Sequence, residues 1–145
     1  MTFIRTCVGV LAATFLTSTA MAQTNAACVG IADHVQAVIK NGGAPDMSLN
    51  PSLQKFKDAQ AAALDLKIQK TAEGYGLDAD DMRAESAQDL ATMKEQLVTR
   101  YGEEKLYQDY VVMLTNCVKA SSEVEMGQTQ DEFMKTINAL RRIIG

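Results

Sequence analysis

A chain of 145 residues with one histidine and three cysteines has few routes to covalent chemistry. His34 is that histidine, and a general-base role would require a nucleophile and a third group to orient the ring. Asp33 is adjacent, but helix neighbours project about 100° apart. No G-x-S-x-G or similar nucleophile signature occurs. His34 follows Ile31 by three residues and precedes Val38 by four, so it borders an apolar stripe and reads as a structural histidine. No catalytic residue is assigned, and a non-catalytic protein is expected.

Metal chemistry has as little to work with. Asp78-Ala79-Asp80-Asp81 is the densest carboxylate cluster. A calcium loop opening at Asp78 would need glycine at its sixth position and glutamate at its twelfth, where the chain has Arg83 and Asp89. Negative charge at a helix N-terminus accounts for the cluster through the helix dipole. One histidine and two bridged cysteines leave too few ligands for zinc. A copper site would need several thioethers close together, whereas Met82, Met93 and Met113 fall at core-seam spacing. Arg141-Arg142 near the C-terminus suits the helix dipole, and nothing resembles a phosphate-binding glycine loop. No metal and no cofactor are expected.

The cysteines are interpreted through the first residues of the chain. Met1 to Ala22 has the order of a secretory leader: Arg5 as the positive region, Thr6 to Thr17 as an apolar core too short to span a membrane, and Ala20-Met21-Ala22 as a small-x-small cleavage site. Cleavage after Ala22 would leave Gln23 first and remove Cys7. Acylation of Cys28 would want a leucine-like residue three positions earlier, where Asn25 stands. Cys28 and Cys117 then form an even pair in an exported protein, where oxidation is the default. There is no C-x-x-C, hence no thioredoxin-type pair and no haem attachment.

Removing 22 of 145 residues leaves 123, enough for one domain, residues 23–145, with a single core. The whole chain carries a net charge of −4, and loss of Arg5 brings it near −5. That acidity disfavours nucleic acid and anionic membranes, which select basic patches. Asn50 is followed by Pro51, so no N-x-[ST] site is usable. The expected location is a bacterial periplasm or the exterior, with no membrane-spanning segment after cleavage.

The elements that would position these residues are helices. In the first, about Ala26 to Lys40, the residues Cys28, Ile31, Ala32, Val35, Val38 and Ile39 form one stripe. Asn41-Gly42-Gly43 and Pro45 stop it. Asn50-Pro51 predicts a cap and first turn for a helix to about Ala72, broken at Gly74-Tyr75-Gly76. Asp78 caps a third, about Ala79 to Tyr101, with a seam of Met82, Ser86, Leu90, Met93, Leu97 and Tyr101. A fourth, about Glu103 to Ala120, carries Leu106, Tyr110, Met113, Leu114 and Cys117. Thr129 and Glu132 make a capping box for a last helix bearing Phe133, Ile137, Leu140 and Ile144. The fold expected is all-α: an up-down-up-down four-helix bundle plus a C-terminal fifth helix, stapled by a Cys28–Cys117 disulfide. In that topology both cysteines reach the same pole.

With chemistry set aside, binding remains. A protein partner in the periplasm is expected, in the manner of an enzyme inhibitor, an immunity-type protein or a stress chaperone. The contact residues expected are Pro45, Asp46, Met47 and Leu49 of the Gly42 to Leu49 loop, with Phe133 of the last helix as a second site. That helix could equally serve a homodimer. The alternative is a carrier of a small apolar ligand, with Phe56, Tyr75, Tyr101 and the methionines around a cavity between helices.

Overall fold

Short turns divide the described chain into its helices. The computed structural model describes residues 25–43 and 47–144, and these form six α-helices and no strand. Helix α1 covers 25–38 and continues as a π turn, Ile39–Gly43. A 3₁₀ turn, Met47–Leu49, leads into α2, Asn50–Tyr75. Then follow α3, Ala79–Tyr101; α4, Glu103–Ala120; α5, Glu123–Met126; and α6, Gln130–Ile144. The expected leader and its cleavage site lie outside the described residues.

Gly76 closes α2 in the left-handed conformation at φ 65°, which costs a glycine nothing. Asp78 caps α3 by accepting from the Asp80 and Asp81 amides at 2.8 and 3.0 Å. The capping box of α6 is reciprocal: the Glu132 amide donates to Thr129 Oγ1 at 3.2 Å, and the Thr129 amide to Glu132 Oε2 at 3.0 Å. Two boundaries differ from the sequence reading. Asn50 lies inside α2 rather than capping it, because the 3₁₀ turn feeds the helix directly. The Asn41-Gly42-Gly43 stop is absorbed into the π turn.

Hydrogen bonds set the pairing of α1 with α2. Gln36 Nε2 donates to Gln54 Oε1 at 2.7 Å, Lys57 Nζ to Gln36 Oε1 at 2.9 Å, and Asn25 Nδ2 to Gln60 Oε1 at 2.7 Å. Numbers fall along one helix as they rise along the other, so the two are antiparallel. Helix α2 also packs on α3, α5 and α6, while α4 packs on α3 and α6. The core gathers Ile31, Val35 and Ile39 of α1, Leu53 and Phe56 of α2, Leu106, Val111 and Leu114 of α4, Met126 of α5, and Phe133, Ile137 and Leu140 of α6. Cys28 and Cys117 are bonded to each other, with Cα atoms 5.9 Å apart, and both are buried.

The α5 turn is pressed tightly onto α2. A Cβ at Gly127 would stand 2.9 Å from the Lys55 carbonyl oxygen, and the residue sits at φ 67°. Contact and conformation therefore both demand glycine there.

Helix α3 departs from the expected core seam. It has 23 residues and none is buried. Met82, Ser86 and Leu90 are half-buried, and Met93 and Tyr101 are exposed. Met113 of α4 is exposed too, because the inward face of α4 centres on Val111, Leu114 and Val118. Met126 of α5 fills the core instead, with Met134 of α6 packed partly against it.

Candidate functional site

The half-covered stripe of α3 forms one wall of a groove. Asn25 meets α2 at Gln60 and Lys67, and α2 continues two turns past Lys67, to Tyr75. Beside the first described turn of α1 the groove lies between α2 and α3. It measures about 540 Å³, with Ala26 and Ala27 at its end, Leu64 and Ile68 on the α2 side, and Met82, Leu90 and Met93 on the α3 side. Leu90 passes over α1 where Gly30 lacks a side chain; a Cβ there would lie 3.7 Å from Leu90 Cδ2. Glu85 and Asp89, one turn apart on α3, are the charged residues among the lining, and neither has an ion-pair partner among the described residues. The far end of the α2–α3 hairpin is tied by Arg83, which bridges Asp65 and Asp80 at 2.6 Å each.

A polar clasp holds the first turn of α1 at the end of the groove. Asn25 and Gln60 are both buried. The Asn25 amide donates to Gln60 Oε1 and, at 3.1 Å, to Glu125 Oε2, while its carbonyl oxygen accepts from Lys67 Nζ. Gln60 Nε2 donates to Ser121 Oγ at 2.7 Å and to the Glu125 carbonyl at 3.1 Å. The Asn25 amide, ahead of the Lys67 charge and the Ser122 hydrogen bonds, holds the Glu125 carboxyl below its ordinary pKa. Each buried polar atom in the clasp thus has a partner, as the low-dielectric interior requires.

No family model, curated protein or solved structure matches this chain.

His34 lies inside the fold, 5 % exposed, with its ring edge-on to Tyr110 at 5.3 Å between centroids. Among the described residues its Nε2 has no hydrogen-bond partner. Burial, and then the positive charge of Lys94, push its pKa below the ordinary 6.5, against the pull of Glu103 and Asp33. A base that binds its proton less readily when folded than when unfolded gives stability that is complete above pH 6.5 and declines as pH falls below it. Glu125 and Glu132, whose carboxyls are held low, lose their contribution only below about pH 4.5. The melting temperature should therefore fall between pH 7 and pH 5, and His34→Phe should flatten that slope. A scan showing the same slope in both proteins would remove the assignment to His34.

The residues expected to bind a partner are placed differently from one another. Pro45 and Asp46 lie outside the described residues, and Met47 opens the 3₁₀ turn. Leu49 is 9 % exposed and belongs to the core, so it offers no docking surface. Phe133 is 0 % exposed and stacks on Phe56, with centroids 4.4 Å apart and planes 16° apart. The last helix packs on α4 and α2 of its own chain, which removes Phe133 from any surface. Phe56, expected around a ligand cavity, is the other half of that stack, and Tyr75 and Tyr101 are exposed without lining the groove. The described residues contain no group of three or more His, Cys, Asp or Glu side chains that could hold a metal ion, and none of their helices is long and apolar enough to cross a membrane.

Proposed function

We propose that this protein is an exported, non-catalytic helical scaffold that docks a periplasmic protein partner in the groove between α1, α2 and α3, as an inhibitor or immunity-type protein or a stress chaperone does. In this reading α1 to α4 form the up-down-up-down bundle and α6 is its fifth helix. The observation that carries it is α3: a helix of 23 residues that fully buries none of them, with Leu97 and Val98 half-buried against the core and Met82, Leu90 and Met93 along the groove. Helices of globular proteins draw most of their stability from packing an apolar face, and the stripe of Met82, Leu90 and Met93 is left open for a partner to cover. The leader-like first residues and the disulfide agree with export. A carrier of a small apolar ligand is the second reading, favoured by the Leu64, Ile68 and Leu90 surfaces of the same groove.

A photoreactive amino acid placed at Met93 and, separately, at Asp131 on α6 tests this in the periplasm. The Met93 position should yield a discrete protein adduct that Leu90→Asp abolishes, and the Asp131 position should not. Equal adducts at both positions, or none at Met93, would sink the docking reading. An apolar small molecule eluting with the purified protein and lost from Leu90→Asp would install the carrier instead.

A further inference from the structure

Resting on the groove as the docking site, we propose that its occupant is an amphipathic helix with lysine or arginine flanking its apolar face. The shape of the groove supplies the first argument. From Met82 to Met93 the α3 wall runs twelve residues, about 16 Å at helical rise. The groove runs beside the first described turns of α1, with Leu64 and Ile68 of α2 on its other side, and a wall of that length accommodates about three turns of a helix. A helix laid into an apolar groove is recognised by anchors one turn apart, and Met82, Ser86, Leu90 and Met93 recur at spacings of four, four and three on α3.

Charge supplies the second argument. Glu85 and Asp89 stand four residues apart on the same wall. Like charges at that spacing destabilise a helix by about 0.2–0.5 kcal/mol. No lining residue is cationic, and no described residue makes an ion pair with either carboxylate. Elsewhere on this hairpin the carboxylates of Asp65 and Asp80 are met by Arg83. A partner bringing lysine or arginine alongside its leucines would neutralise the pair while covering the stripe. An anionic amphiphile such as a fatty acid would place its carboxylate against two others. A second copy of this chain would bring a net charge of −4 to the same surface.

Two synthetic 14-residue helices that share a leucine face serve as probes, one with a lysine polar face and one with glutamate. Fluorescence anisotropy with the protein purified from the periplasm should show saturable one-to-one binding of the lysine helix, at least tenfold tighter than the glutamate helix. Glu85→Lys with Asp89→Lys should reverse that order, and Leu90→Asp should abolish binding of both. Glu95→Lys with Glu104→Lys, an equal charge change outside the groove, should leave the preference intact. Circular dichroism and melting confirm that each variant is folded. Equal affinity for the two probes, or an equal response to the two charge reversals, overturns the proposal. So does a dimer that Leu90→Asp converts to monomer, because the groove is then an interface between copies. If neither probe binds while the Met93 adduct persists, the basic helix is wrong and the docking reading stands.

Discussion

Replacing Cys28 and Cys117 together with alanine should lower the melting temperature by about 10–20 °C. The bond joins residues 89 apart in sequence. Closing so long a loop restricts the unfolded chain, and the entropy model assigns it about 4–5 kcal/mol. Domains of this size have about 5–15 kcal/mol in total, and each kcal/mol shifts melting by about 4 °C. The cross-link also lies where the fold most needs it. It joins the start of α1 to α4, beside the clasp at Asn25, and α3 contributes no buried side chain that would hold that end otherwise. Calorimetry of the native protein, the reduced protein and the alanine pair provides the test. Reduction should reproduce most of the loss, because both sulfurs are buried and alanine removes little else. Equal melting of all three would show that the loop is already constrained in the unfolded state.

Phe133→Ala should cost about 3–5 kcal/mol, the range for truncating a buried aromatic. Its ring lies on Phe56 and is fully enclosed. Ile137 and Leu140 follow on the same face, so the cavity opens where α6 is seated on α4 and α2. Phe133→Leu, which keeps most of the volume, should cost about 1.5 kcal/mol or less. Urea unfolding should show the loss in the midpoint with an unchanged slope. If Phe133→Ala costs less than about 1 kcal/mol, α6 is held by something other than this stack. Phe133→Asp would bury an unpaired charge, so any loss of partner binding in that variant would report unfolding.

Local chemistry made much of this fold legible. Asp78, Gly102 and the Thr129–Glu132 pair mark helix ends because each acts through its own few neighbours, and a cap works the same way wherever the helix later packs. The disulfide followed from even cysteine count and helix number together. The α5 turn has a local signal as well, Ser122 and Glu125 in cap spacing and Gly127 as a left-handed stop, but four residues are too few to show a helical period. Gln60 carried a usable signal as well: it continues the Phe56 line at four-residue spacing toward Leu64 and Ile68, which marks a polar side chain headed for the interior.

The groove was not legible, for a physical reason. Periodicity shows that one face of α3 is apolar and says nothing about what lies opposite it. Met93 and Leu114 have equal claims to a core by spacing; Leu114 is enclosed in the core, while Met93 lines the groove and stays exposed. Likewise Phe133 and Leu49 read as surface residues in the sequence, because nothing local distinguishes an anchor for a partner from an anchor for the rest of the chain.

The Cys28–Cys117 bond also decides how the molecule would yield to tension. A pull on the two ends enters at α1, crosses the sulfur bridge, and continues from Cys117 into α5 and α6. The residues between the two cysteines are bypassed, and about 300 Å of extended chain stays hidden at about 3.4 Å per residue. The force falls instead on α6, peeling Phe133 from Phe56 and Leu140 from the face of α4. Under load the groove-bearing hairpin α2–α3 is therefore mechanically silent: it keeps its shape while the C-terminal end unravels, and it joins the force path only after the bridge is reduced.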